Sequence, residues 1–531
     1  MPTRYELNRA AEKTRGAVYT PPGIAAALAR WAIRSSGDSV LDPACGEGVF
    51  LSAARARLGD LGSRRPVCTG VDIDAETALA AGAHCDDFFN WVRHAPKVDV
   101  VLGNPPFVRS HLFPETSRAS AFSEMGKMGL RPSRLMSTWA PFLALSCRLL
   151  TPAGRLAMVI PEELLAVGYA AELRGFLLRH FRRVIVGLPE AGVFPEVQQA
   201  VVLLLCDQEP LGPQGLLGLG PKAVERGNFD AVELAAPWDW TSKWTHFFLP
   251  AKERALVSEW RRRMRWQPFN AYGRVEVGVV TGDNGFFLVD QQRAATLSER
   301  NLMPIIAGAK DLAGISFGGE DFRGVLAGNR PAFVLKANEP LSELSPALRA
   351  YLEEGERRKV PERYKCRIRR PWYAVPSLRE CDAVLLRQSG NMPRLVHLAK
   401  KCSATDTIHR VTWRSAALGK RHCVSFLNCW TLLNAELMGR SYGGGVLELM
   451  PSEANQLPLP EPVAALEGLF ETADELVRAG RPADAVELAD RTVLPEWAGR
   501  AEISRLRDAL RRLVARRQSR GWPAGAYLLG V

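Results

Sequence analysis

Through the first two hundred positions, compact apolar runs alternate with segments of helical period. Val98–Leu102, Gly154–Pro161, Arg183–Pro189 and Ala200–Cys206 are rich in β-branched residues and bounded by Gly, Pro or charge, as buried strands are. Between such runs, Ile24–Ile33, the stretch from Phe50 and Ser137–Leu150 repeat apolar positions at helical spacing. Thr20 is placed to cap the first of these helices, with Pro21 at its first position. Strands alternating with helices predict an α/β domain over residues 1–207, built on a largely parallel, Rossmann-like seven-stranded sheet.

Gly and Pro then break the pattern. Gln208–Pro221 reads as linker, and the linker is assigned to residues 208–245. Val275–Gly282 reads as strand and turn within a mixed α/β domain over residues 246–460. Residues 461–531 form a C-terminal helical segment, with Ala, Leu, Glu and Arg at 3.6-residue spacing over 463–517.

Composition narrows the class. A chain of 531 residues exceeds one core, and 47% hydrophobic with 24% charged residues is that of a folded globular protein. Met1–Gly16 has no apolar signal core, and the run near Ala200–Cys206 is far short of a membrane span. Ten cysteines without a C-x-x-C pair argue against a disulfide framework or zinc site, and a cytoplasmic location is expected. The net charge of +12 is uneven: residues 1–207 hold 23 Lys and Arg against 20 Asp and Glu, the remainder 46 against 37. A basic second part suggests a polyanionic partner, most simply nucleic acid, although a solvated basic surface would look the same.

Candidate chemistry concentrates in the α/β half. After the strand ending at Gly103, Asn104-Pro105-Pro106-Phe107 holds the backbone extended at a strand's carboxyl end, where ligands bind in open α/β sheets. Asn104 Oδ1 and the Pro105 carbonyl can each accept an N–H of an exocyclic amino group, while Phe107 stacks on the ring. Upstream, Val40–Gly48 is a strand ending in Asp42 and a turn with Gly46 and Gly48, which permit close backbone approach. It lacks the full dinucleotide fingerprint and the Walker lysine, so NAD and ATP fit poorly. Asp42 suits a ligand ammonium. Asp72 ends a second strand and suits two ribose hydroxyls, and Asp87 with Phe88 suits an adenine amino group and ring. A surface acid or a core aromatic would explain any one of these singly; their order is more telling.

That order resembles the gamma-class, TaqI-type adenine-N6 DNA methyltransferases, in which a Thr-Pro-Pro motif precedes the glycine-rich turn and target recognition comes last. Release-factor glutamine methyltransferases and some ribosomal-RNA guanine methyltransferases carry close versions of the tetrapeptide. The resemblance implies S-adenosylmethionine as cofactor, held by Tyr19, Thr20, Asp42, Ala44, Gly46, Gly48, Asp72, Asp87, Phe88 and Asn104. It implies Asn104, Pro105 and Phe107 as catalytic residues, with Phe107 and Phe194 packing a flipped base, and no metal. It implies a monomer on double-stranded DNA, no membrane partner, and any cognate endonuclease as a separate chain.

In the second half, residues 357–370 carry eight Lys or Arg, with aromatics inside and just after. Basic residues interleaved with aromatics suit phosphate and base contacts. Arg357, Arg358, Lys359, Lys365, Arg367, Arg369, Arg370 and Trp372 are therefore candidate DNA contacts, as is Arg109. Segments around Arg394, His409, Arg410, Arg440 and Tyr442 resemble target-recognition domains of the same class and join the set. Cytosine-N4 methylation uses the same amino-group physics and is the alternative; RNA or protein N-methylation ranks lower.

Overall fold

Val98–Gly103 is buried along almost its whole length in the computed structural model of the chain. Its apolar run fits a central strand covered on both faces by helices. The structure describes residues 20–189, 200–211, 213–219, 222, 224, 226–229, 232–234, 243–264, 266–442, 445–461, 468–495 and 497–518. The chain divides into two units, Met1–Ser258 and Glu259–Val531.

The strands of the first unit are β1 (Val40–Asp42), β2 (Cys68–Asp72), β3 (His84–Cys85), β4 (Val98–Gly103), β5 (Leu150–Pro161), β6 (Arg183–Gly187), β7 (Val201–Asp207), β8 (Gly215–Leu219) and β9 (Val232–Leu234). They form one sheet in the order β3-β2-β1-β4-β5-β7-β6-β8-β9. The strands from β3 to β5 pair in parallel, and β7 lies antiparallel between β5 and β6. The expected seven strands are thus β1 to β7.

The expected linker is corrected. β8 extends the sheet by pairing with β6 in parallel, and β9 pairs with β8. Gly218, one of the residues that suggested flexibility, is a packing glycine: a Cβ there would lie 2.8 Å from the ring of Phe247, which is buried in this unit's core.

The first helix, α1 (Pro22–Ala32), buries Ile24, Leu28 and Trp31 in the same core. Its cap is Pro21, whose carbonyl accepts from Ile24 N at 3.0 Å, with Pro22 at the first helical position. Thr20 does not cap it. The second helix, α2 (Val49–Asp60), starts directly after Gly48.

The second unit is built on an eight-stranded mixed sheet. Its main strands are β10 (Gly273–Val277), β11 (Leu288–Val289), β12 (Leu302–Ile306), β13 (Ser316–Phe317), β14 (Phe333–Leu335), β15 (Cys381–Leu386), β16 (Leu395–Ala404) and β17 (Ile408–Trp413). The order is β10-β17-β15-β16-β12-β14-β11, with β13 pairing beside β16. Helices Leu469–Arg478, Pro482–Val493 and Arg500–Gln518 belong to this unit by contact. Asp474 Oδ1 accepts from Ile315 N and Ser316 N at 2.7 and 2.9 Å, and the Arg517 guanidinium pairs with buried Glu436 at 2.8 Å. Among the described residues, no helix is long and apolar enough to cross a membrane.

Candidate active site

The chain leaves β1 toward β2 on one side, and β4 lies on the other side of β1. Their carboxyl ends therefore flank the switch point, where a crevice forms in doubly wound sheets. Asp42 closes β1 and Gly103 closes β4. These ends nearly touch: a Cβ on Gly103 would sit 2.9 Å from Asp42 Oδ1 and 3.2 Å from Pro43 Cδ. Only glycine leaves the aspartate room.

Asp42 is buried, and its Oδ1 accepts from Ala44 N at 3.2 Å. Its Oδ2 has no hydrogen-bond partner among the described residues. Burial pushes the carboxyl from 3.8 up to about 8; the Ala44 N–H pulls it back and the Asp72 charge adds to the rise. A carboxylate this dry with one oxygen unsatisfied is an open position for a cation.

The glycine turn lies alongside. Gly46 and Gly48 take positive φ, 49° and 81°, which turns the chain from β1 into α2. Asp72 ties this turn to β2, accepting from Gly46 N on Oδ2 and from Asp74 N on Oδ1, both at 2.9 Å. Gly70 lets the layers approach, since a Cβ there would lie 2.7 Å from Leu51 Cδ1 and 3.0 Å from Cys45 Sγ. Burial pushes the Cys45 thiol up to about 12, so it is no nucleophile. Ile73, next after Asp72, is 67% exposed. That outward apolar side chain stands beside the acid and was not singled out in the sequence.

Beyond β4, Asn104 Nδ2 donates to Thr20 Oγ1 at 3.0 Å, linking the Asn104–Phe107 shelf to the segment before α1. The hydroxyl read as a helix cap instead orients the asparagine amide. Pro105 is buried and Phe107 nearly so, at 8% exposure. Thr138 clamps this shelf. Its hydroxyl donates to the Pro106 carbonyl and accepts from Val108 N at 3.0 Å, while its own N–H donates to Val108 O at 3.0 Å. Nothing in the sequence marked Thr138, because its partners lie thirty residues away and meet it only in the fold.

Other candidates fall differently. Asp87 is half-buried and caps the short helix Phe88–Trp91, accepting from Phe89 N at 2.9 Å and from Ser117 Oγ at 2.6 Å. The Phe88 ring is turned into the core and stacked on Phe142 at 4.9 Å and 9°, so its expected contact with an adenine ring is corrected. Tyr19 and Phe194 lie outside the described residues. Tyr442 lies in the strand Arg440–Tyr442.

The DNA-contact set divides by exposure. Arg109, Arg357, Arg358, Lys359, Lys365, Arg367 and Arg370 are exposed. His409 is fully buried in β17 with Nε2 2.6 Å from Leu449 O, and Arg410 is buried with its guanidinium donating to Ser377 O at 2.6 Å. Arg394 donates to the carbonyls of Leu312, Ala313 and Gly314. Arg440 pairs with Glu453 at 3.1 Å, and Arg369 donates to Val280 O and Thr281 O at 2.7 Å each. Trp372 packs on Phe286 and Phe287. The expectation that His409, Arg410, Arg394, Arg440 and Arg369 reach DNA is corrected: these side chains are spent on their own fold. These arginines look like a contact surface in sequence, but here backbone carbonyls, and Glu453 for Arg440, take up the charge.

Strand order, glycine turn and the amide at the end of β4 define an α/β methyltransferase of the S-adenosylmethionine-dependent kind. Comparison with known proteins narrows this. Residues 70–194 match the family described as Eco57I restriction-modification methylase, and residues 241–494 match the C-terminal domain of Type II methyltransferase M.Eco57I. Type II methyltransferase M.AccI of Acinetobacter calcoaceticus is 21% identical over 82% of this chain and 84% of its own length. M.XamI of Xanthomonas campestris pv. amaranthicola is 24% identical over 84% and 85%. The solved Type IIL restriction-modification enzyme MmeI in complex with DNA covers 98% of this chain and 74% of its own at 14% identity and a TM-score of 0.48. Both matched segments are thus similar to Type II restriction-modification methyltransferases of the Eco57I kind. Fold and family imply S-adenosylmethionine.

Proposed function

We propose that the chain transfers a methyl group from S-adenosylmethionine to adenine N6 within a short duplex DNA sequence, as the modification enzyme of a restriction–modification system. The observation that carries this reading is the juxtaposition at the switch point: a buried, half-satisfied Asp42 at the end of β1 beside the Asn104 shelf at the end of β4.

The residues present fit the cofactor. Asp42 Oδ2 would take its ammonium, Gly46 and Gly48 would admit it close to the backbone, Asp72 would receive its ribose hydroxyls and exposed Ile73 would lie under its adenine. When bound, the cofactor supplies an electrophilic methyl on a sulfonium. The protein's part is to prepare the acceptor. A base inside the duplex is out of reach, so it is flipped into the site at a cost of a few kcal/mol. Its exocyclic nitrogen is a poor nucleophile because its lone pair is delocalised into the ring. Asn104 Oδ1 and the Pro105 carbonyl accept its two N–H groups, draw the nitrogen toward sp³ and free that pair. Thr20 and Thr138 fix the shelf from either side, so this is catalysis by orientation and electrostatics. Phe107 and Phe194 are assigned to packing of the flipped base, and Arg109 with the exposed arginines and lysines of 357–370 to phosphate contacts.

The test is incubation of the protein with methyl-labelled cofactor and unmethylated genomic DNA, followed by digestion to nucleosides. Label in N6-methyladenine is the expected result, and the modified positions give the target sequence. Label in N4-methylcytosine would keep the Asn104 chemistry and change the substrate; label absent from DNA would refute the proposal. Asn104→Ala should abolish turnover while cofactor affinity stays within a few-fold, and normal turnover would sink the assigned role.

A further inference from the structure

The short helix Tyr364–Arg367 and its C-cap Ile368 display two apolar side chains to solvent: Tyr364 is 65% exposed and Ile368 63%. They stand at positions i and i+4, which share one face of a helical turn. The opposite face is fastened. Cys366 is fully buried, and the backbone of Gly282 presses so close that a Cβ would lie 3.0 Å from Cys366 Sγ. Arg369 ties the segment's end to the carbonyls of Val280 and Thr281.

Charge surrounds the apolar pair. Lys365 Nζ lies 5.1 Å from the Tyr364 ring centroid, and Arg363, Arg367 and Arg370 are exposed on the same segment, Arg363 beside Asp283 at 3.6 Å and Arg370 using only Nη1, on Arg367 O and Arg369 O at 3.0 and 2.8 Å. An open cavity of about 680 Å³ adjoins it, lined by Arg367, Arg370 and Trp372 among others. The Trp372 indole N–H in that wall has no partner among the described residues. Single exposed apolar side chains are ordinary, Leu79 at 83% among them, but Tyr364 and Ile368 stand together on one face. On a rigid, strongly cationic turn they fit a polyanion with a stacked apolar interior, which is duplex DNA.

We propose that Tyr364 and Ile368 form a wedge that enters the duplex between base steps and kinks it, while Arg367 and Arg370 hold the flanking phosphates. This rests on the DNA reading above and goes beyond it, because it assigns deformation, not phosphate contact, to two uncharged residues. Anchoring is what makes a wedge: a loosely tethered turn would yield before the base stack did.

The test uses the full chain and a duplex of about thirty base pairs containing a mapped methylation site, with a donor and an acceptor dye at its ends. Wild-type protein should bend the duplex and raise energy transfer. Tyr364→Ala/Ile368→Ala should lose the bend and bind roughly ten- to a hundred-fold more weakly with an unchanged salt slope. Arg367→Gln/Arg370→Gln should instead lower that slope by about 1.8. Unchanged melting temperatures check that these surface variants fold. Retention of bend and affinity within two-fold by the apolar double variant overturns the wedge. Wild-type protein that methylates DNA without bending it overturns the wedge alone, whereas wild-type protein that neither binds nor methylates duplex DNA overturns the DNA reading with it.

Discussion

Asp42→Asn tests the cofactor site most directly, because the aspartate's protonation state couples to what binds beside it. In the free protein its carboxyl sits at about 8, displaced from 3.8 mainly by burial. At pH 7 it is therefore mostly protonated, and pairing with a ligand ammonium must expel that proton. Calorimetric titration of S-adenosylmethionine in two buffers of different ionisation enthalpy should show net proton release at pH 7, approaching one proton. 5′-Methylthioadenosine, which lacks the amino-acid portion, should release none. Asp42→Asn should release none with either ligand and bind the cofactor about ten- to a hundred-fold more weakly through loss of a charge-assisted hydrogen bond. Folding carries the opposite signature. The folded carboxyl holds its proton where the unfolded one has lost it, so stability of the free protein falls as pH rises from about 4 to about 8. At about 1.4 kcal/mol per decade the full displacement amounts to roughly 6 kcal/mol as an upper bound. Asp42→Asn should flatten that decline. Proton release below about 0.3, or equal release by the variant, would refute the assignment of this carboxylate to the cation.

Two further outcomes follow from the same geometry and its surroundings. Thr138→Val removes the hydroxyl that joins Pro106 O to Val108 N; single-turnover kcat should fall about ten-fold with cofactor Kd unchanged, and stability should drop by about 1–3 kcal/mol. An unaltered kcat would show that the clamp does not position the shelf. His422 is buried against Trp413 and Tyr272, and burial pulls its imidazole from 6.5 down to about 4. The unfolded chain protonates first, so the stability contributed by neutral His422 is complete above about pH 6.5 and is lost as pH falls toward 4. The loss is up to about 3 kcal/mol, and His422→Gln should flatten that part of an acid-unfolding profile.

Much of the candidate site was legible because its residues are placed by elements that adjoin them in sequence. Asp42, Gly46, Gly48 and Asn104 sit at or just after strand ends, and a strand end is visible as an apolar run meeting Gly, Pro or acid. What escaped reading depends on distant partners. Phe88 reads equally well as a ring for a ligand or for the core, and only Phe142 lying flat against it decides for the core. Gln208–Pro221 has linker composition, yet β8 forms there because β6 offers a free edge and Phe247 needs a glycine to pack on. Thr20 heads a Thr-Pro-Pro motif that suggests a helix cap, but Pro21 supplies the capping carbonyl and leaves the hydroxyl to Asn104.

Charge was the least legible quantity, and the arginines of the second unit show why. Arg367 and Arg394 are indistinguishable by residue type and by setting in a basic, recognition-like segment. The fold surrounds the Arg394 guanidinium with three backbone carbonyls at 2.9–3.1 Å, and burial lowers its pKa while leaving it charged. A cation so satisfied has little to offer a phosphate, and withdrawing it would strand those carbonyls. Arg367 is exposed and stands beside the exposed Tyr364 turn. Arg394→Met should therefore cost roughly 3 kcal/mol of stability or more and leave the dependence of DNA affinity on salt unchanged. Arg367→Met should leave stability within about 0.5 kcal/mol and lower the slope of log K against log salt by about 0.9, weakening all sequences alike. Chemical denaturation and binding at several salt concentrations separate the two. A reduced salt slope for Arg394→Met with stability intact would return that arginine to the DNA interface and remove the argument from burial.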